Sequence, residues 1–184
     1  MPFSMSGRTV GLISLILFIL TIPAGNWVVM NVGTVCPPDS PCLIPVWLGI
    51  MSPSAVLFAG LALILRDAVQ SLLGKRWTLV AIAAGAALSG VLSEPAIILG
   101  STCAFLFSEL ADFAVYTPLR ERHLTLAIVL SGLVGSIVDS VIFLSLAFGS
   151  LDFIVGQVIG KFWMSLIAGA MIIMWRSTRR AQAA

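Results

Sequence analysis

Six apolar runs, each long enough to cross a bilayer and almost free of charge, constrain this chain more than any other feature. A spanning helix needs about 20 such residues. The runs lie at approximately residues 10–30, 53–73, 77–93, 96–116, 124–148 and 153–175, joined by short links. The expected fold is therefore all-α: six transmembrane helices in one bundle, a single domain over residues 1–184. Charged residues make up 10% of the chain and hydrophobic ones 59%, whereas a soluble domain is about 25% charged. These proportions exclude a soluble enzyme and a disordered region. The net charge of +2 excludes a strongly basic nucleic-acid binder. The alternating polar pattern of a transmembrane β-barrel does not occur.

The basic residues orient the bundle. Arg8 precedes the first run, Lys75 and Arg76 separate the second from the third, Arg120 and Arg122 separate the fourth from the fifth, and Arg176, Arg179 and Arg180 follow the sixth. The alternate links, Asn31–Pro45, Glu94-Pro95 and Gly149–Asp152, contain neither Lys nor Arg. Because cytoplasmic loops retain basic residues, both termini are expected in the cytoplasm and the protein in the inner (cell) membrane. Pro23-Ala24-Gly25 has the look of a signal-peptide cleavage site, but the run before it is longer than an h-region and reads as a span. Pro23 and Gly25 are expected to loosen that span near Asn26. Cys36 and Cys42 share the first external loop and form a candidate disulfide in an oxidising compartment. Cys103 reads as a small core residue. Small residues four apart in the third run (Ala81/Gly85, Ala83/Ala87, Ala86/Gly90) suggest close helix packing. Trp27, Trp47, Trp77 and Trp175 read as interface residues, Glu94 and Asp152 as solvated external ends, and His123 as a lone interface residue.

Ionisable groups inside spans are costly, so each is a candidate functional residue. At about 1.5 Å per residue, Asp67 and Asp112 lie about 12 Å from the cytoplasmic end, Glu109 about 16 Å, Lys161 about 22 Å and Asp139 about 25 Å. Two polar levels follow. Arg66, Asp67 and Asp112 form the inner one, Asp139 and Lys161 the outer one, and Glu109 lies between. Glu109, Asp112 and Tyr116 share one helix face, as do Ser136, Asp139 and Phe143, and Gln157 with Lys161. Asn26, Asp67 and Gln70 add polar groups from the first two spans. Lipid cannot receive these faces, so they are expected to converge on a polar, water-accessible cavity at mid-membrane. Asp139 with Lys161, and Arg66 with one inner carboxylate, are equally candidates for structural ion pairs; Arg120 belongs to that structural group.

No G-x-x-x-x-G-K-S/T phosphate loop and no H-E-x-x-H or Cys/His cluster occurs in the sequence. No cofactor, ATP hydrolysis or metal site is expected. An intramembrane aspartyl enzyme would need Asp112 and Asp139 to share a proton, yet their depths differ by about 13 Å. Gly135-Ser136-Ile137-Val138 also lacks the Gly-x-Gly-Asp pattern of such proteases. A membrane scaffold, whose polar groups serve packing alone, is the other competing class.

Asp112-Phe-Ala-Val-Tyr116-Thr-Pro-Leu-Arg120, after Ser108-Glu109, resembles the D-x-x-V-Y/F-x-x-L-R signature of the VUT family of queuosine precursor transporters. Gly135, Asp139, Ser140, Phe143, Ala147 and Phe148 resemble that family's span-five motif, Asp67 with Gly74 its earlier segment, and Lys161 its span-six lysine. The resemblance covers roughly residues 50–175. Arg66 departs from it, standing where relatives often carry an uncharged residue. It implies a non-enzymatic importer of a 7-deazaguanine, with a fold like the S components of energy-coupling-factor transporters. The implied partners are that small molecule and the bilayer; a homo-oligomer is left open. An S-component-like subunit for a vitamin or other heterocycle, energised by a partner, is the alternative. Residues 10–30 lack the A-x-x-x-A docking face of such subunits, which favours a self-sufficient carrier.

Overall fold

The computed structural model describes residues 7–38, 41–93 and 98–183. Six helices, all long and apolar enough to cross a membrane, follow one another: α1 Gly7–Asn31, α2 Val56–Leu73, α3 Lys75–Leu92, α4 Ile98–Leu119, α5 Leu124–Phe148 and α6 Ile154–Ala183. Two short antiparallel strands, β1 Leu43–Trp47 and β2 Ile50–Pro53, stand between α1 and α2. The bundle is inverted relative to a soluble protein. Leu, Ile and Val side chains line its outside while Ser, Gln, Arg, Lys, Asp and Glu fill much of its inside, because lipid accepts the former and not the latter.

α1 corrects one expectation. It runs unbroken through Pro23 to Asn31, so the chain stays helical at Asn26. Gly25 serves packing instead: a Cβ there would lie 3.3 Å from the Cβ of Phe58 on α2. Gly85 on α3 has a similar role, since a Cβ would fall 2.6 Å from the Phe105 ring of α4. That ring also meets Phe18 of α1, with centroids 5.8 Å apart. The links are tighter than the hydropathy suggested. Gly74 (φ +91°) alone joins α2 to α3, a conformation that suits glycine.

The hairpin was not legible as such, its residues reading only as loop and interface. Gly49 (φ +73°) turns between the strands. Cys36 and Cys42 are joined in a disulfide, and the Cys42 amide donates to the Val29 carbonyl at 2.7 Å. The hairpin rests on α6, where Trp163 Nε1 donates to the Val46 carbonyl (3.3 Å) and stacks on Trp47 with centroids 5.4 Å apart. Trp27, Trp47 and Trp77 face outward. Glu94, Pro95 and the side chains of Trp175, Arg176, Arg179 and Arg180 lie outside the described residues.

Candidate functional site

The buried charges separate into two layers, one nearer the α2–α3 link and one nearer the hairpin. Arg66 centres the first. It is fully buried, and its Nε reaches Glu109 Oε2 at 3.2 Å, its Nη1 reaches Asp67 Oδ1 at 2.8 Å and Gln70 Oε1 at 3.1 Å, and its Nη2 pairs with Asp112 Oδ2. The expectation of one carboxylate partner is therefore corrected to three. The guanidinium lies over the Tyr116 ring, 5.5 Å from its centroid, a cation–π contact that a desolvated site strengthens. Tyr116 donates its hydroxyl to the Asp67 carbonyl at 3.4 Å, Gln70 Nε2 donates to Thr117 Oγ1 at 2.8 Å, and Arg120 Nη1 donates to the Gln70 carbonyl at 2.6 Å. Gly135 lets α5 close on this layer: a Cβ there would sit 3.1 Å from the Cβ of Asp112.

Lys161 centres the second layer. Its ammonium donates to Asp139 Oδ2, to Ser140 Oγ at 2.9 Å and to Gln157 Oε1 at 2.5 Å. All three protons of the ammonium are thereby used inside the protein. Asp139 is the most accessible of these charges, with 18% of its side chain exposed. It opens onto a cavity of about 130 Å³ that Asn26, Phe58, Phe105, Phe143, Gln157 and Lys161 also line. Asn26 Nδ2 has no hydrogen-bond partner among the described residues.

The candidate residues therefore divide. Asn26, Asp139, Phe143, Gln157 and Lys161 meet at the cavity, whereas Asp67, Gln70, Asp112 and Tyr116 are gathered around Arg66 and do not line it. Glu109 belongs to both neighbourhoods. It pairs with Arg66 and also lines a smaller cavity of about 30 Å³ with Ser108, Asp139 and Lys161. Two aromatic walls, Phe58 and Phe105, escaped the sequence reading. Their spacing carried the signal, since Phe105 lies four residues before Glu109 and Phe58 eight before Arg66, on the faces that carry those charges.

A six-helix membrane bundle that keeps ion pairs and an apolar-walled cavity in its interior defines a multi-pass membrane protein with a candidate small-molecule site. The chain belongs to the family described as "Putative vitamin uptake transporter", whose model matches residues 46–175, and it is a member of a family of transporters that take up small molecules across the bilayer. Comparison with curated proteins and with solved structures returns no match.

Proposed function

We propose that this protein imports a 7-deazaguanine precursor of queuosine, 7-cyano- or 7-aminomethyl-7-deazaguanine, through the cavity beside Lys161, with both termini in the cytoplasm of a cell whose inner membrane it spans. The observation that carries this reading is the composition of the cavity: three phenylalanines, Phe58, Phe105 and Phe143, around a short polar edge of Asn26, Asp139 and Gln157. A planar heterocycle needs aromatic or aliphatic walls for its faces. A guanine-like edge also presents an N–H and an amino group side by side, which one carboxylate accepts together. In this reading Asp139 is that acceptor, Lys161 holds it in position, and Asn26 Nδ2, which has no partner among the described residues, donates to a ring carbonyl. The sequence motifs shared with the queuosine precursor transporters support the same substrate class.

The test uses a host that lacks both precursor synthesis and its own importer. Expression of this protein with low concentrations of either deazaguanine is expected to restore queuosine in tRNA, and Phe143→Ala, which leaves the Lys161–Asp139 pair intact, is expected to weaken the rescue while the protein still reaches the membrane. No rescue by a folded, membrane-inserted wild type would exclude this substrate class.

A further inference from the structure

We propose that the Arg66–Asp67–Glu109–Asp112 cluster is a proton-binding site, reached from the substrate cavity through Glu109; only its coupling to substrate rests on the transport function proposed above. The first observation is a charge count. One guanidinium, which stays protonated in proteins, is surrounded by three carboxylates, all buried. With every carboxylate ionised, the cluster would hold two more negative charges than positive ones in a low-dielectric interior, and such groups neutralise by binding protons.

The neighbouring elements do not supply the missing positive charge. On α4, Arg120 pairs with none of these carboxylates among the described residues and donates instead to the Gln70 carbonyl, and Tyr116 lies beneath Arg66 with its hydroxyl on the Asp67 carbonyl. On α5, the Ser131 hydroxyl lies beside Asp67 and Asp112, and Asp139 is paired with Lys161 of α6. Among the charged residues of α1 and α3 are only Arg8, Lys75 and Arg76, all in the first turns of those helices. Among the described residues, no group of three or more His, Cys, Asp or Glu side chains is arranged to hold a metal ion.

Two further observations locate the proton and its path. Asp112 is fully buried, and its Oδ1 makes no hydrogen bond among the described residues, which leaves that oxygen open to a proton. The smaller cavity, about 30 Å³, has room for about two waters. Ala59, Ala62, Phe105, Asp139 and Lys161 line it and the larger cavity alike. Glu109 ends in this space and bonds Arg66 on its other side, so one carboxylate connects the substrate cavity to the cluster. Import then proceeds as symport: a proton taken up through Glu109 accompanies the substrate, and release of both on the opposite face resets the cluster.

The substrate-free arm is infrared spectroscopy of the purified wild type at neutral pH. A protonated-carboxyl band is expected, weaker in Asp112→Asn; its absence from the wild type would overturn the proposal, whatever the substrate. The second arm uses proteoliposomes and labelled 7-aminomethyl-7-deazaguanine. A pH gradient, alkaline inside, is expected to drive accumulation. Asp112→Asn is expected to lose at least tenfold of that accumulation while still exchanging label for unlabelled substrate in the absence of a gradient, a readout that also shows the variant is folded. Accumulation driven by a sodium gradient and indifferent to pH would overturn the proposal. A wild type that shows the band but carries no deazaguanine would leave the proton site standing and overturn the substrate reading instead.

Discussion

Gly60 on α2 faces the backbone of Lys161 on α6 so closely that a Cβ at Gly60 would lie 2.9 Å from the Lys161 Cα. This approach sets the height and rotation at which the Lys161 ammonium enters the cavity wall. Gly60→Val is therefore expected to force α2 and α6 apart. The cost of overpacking is about 1–3 kcal/mol, visible as a lower melting temperature in detergent. Uptake should fall further than stability does, because Lys161 leaves its register with Asp139.

Lys161 and Asp139 should behave as a coupled pair. Removing one leaves the other buried and unpaired, which costs about 3–5 kcal/mol. Lys161→Met and Asp139→Asn are each expected to destabilise the protein, and the double variant to recover much of that loss while remaining inactive. A double-mutant cycle of thermal midpoints, read alongside uptake, checks this. Additive losses would show that the two side chains act independently.

Phe143 is expected to act on binding rather than on folding. It is only half-buried and lines the cavity, and loss of a base–aromatic stack costs about 1–3 kcal/mol. Phe143→Ala should raise KM for a 7-deazaguanine roughly tenfold or more with little change in membrane expression. An unchanged KM would remove this ring from the site.

Arg66 is expected to be the most sensitive single position for folding. It has three carboxylate partners, the Gln70 amide and the Tyr116 ring. Arg66→Met is expected to abolish stable expression. Arg66→Lys should be intermediate, because an ammonium keeps the charge but not the planar fork that reaches partners on two helices. Fluorescence-detected size-exclusion profiles of the two variants would separate these outcomes.

The disulfide tests the orientation. After mild reduction of intact cells, Cys36 and Cys42 are expected to react with a membrane-impermeant maleimide added outside, and a cysteine placed at Arg8 to react only after lysis. Loss of the disulfide closing this short loop costs about 2 kcal/mol in chain entropy, so Cys36→Ser with Cys42→Ser should loosen the hairpin without unfolding the bundle. Faster amide exchange confined to 41–53 is the expected signature.

Much of the fold and part of the candidate site were legible in the sequence. Hydropathy and residue counting are one-dimensional quantities, and a bilayer turns position along the chain into depth. Six spanning helices and two levels of buried charge could therefore be read directly, as could the shared face of Glu109, Asp112 and Tyr116, which depends on helical period alone. The hairpin at 43–53 was hidden because its apolar residues merge with the flanking runs. Its evidence is tertiary: the seat on Trp163 and the bond from Cys42 to Val29.

What the sequence by itself determined is thus how many helices cross the membrane, and which polar groups sit at which depth on which face. Only the tertiary structure decided who pairs with whom. By depth, Arg66 had the two acids of its own level and Glu109 between the levels, and it takes all three; the cavity was open to ten candidate side chains and admits five, with Glu109 at its margin. The physical reason is that azimuth and distance between helices are fixed by packing at contacts such as Gly60 with Lys161 and Gly135 with Asp112. Those contacts exist only once α2 packs on α6 and α4 on α5.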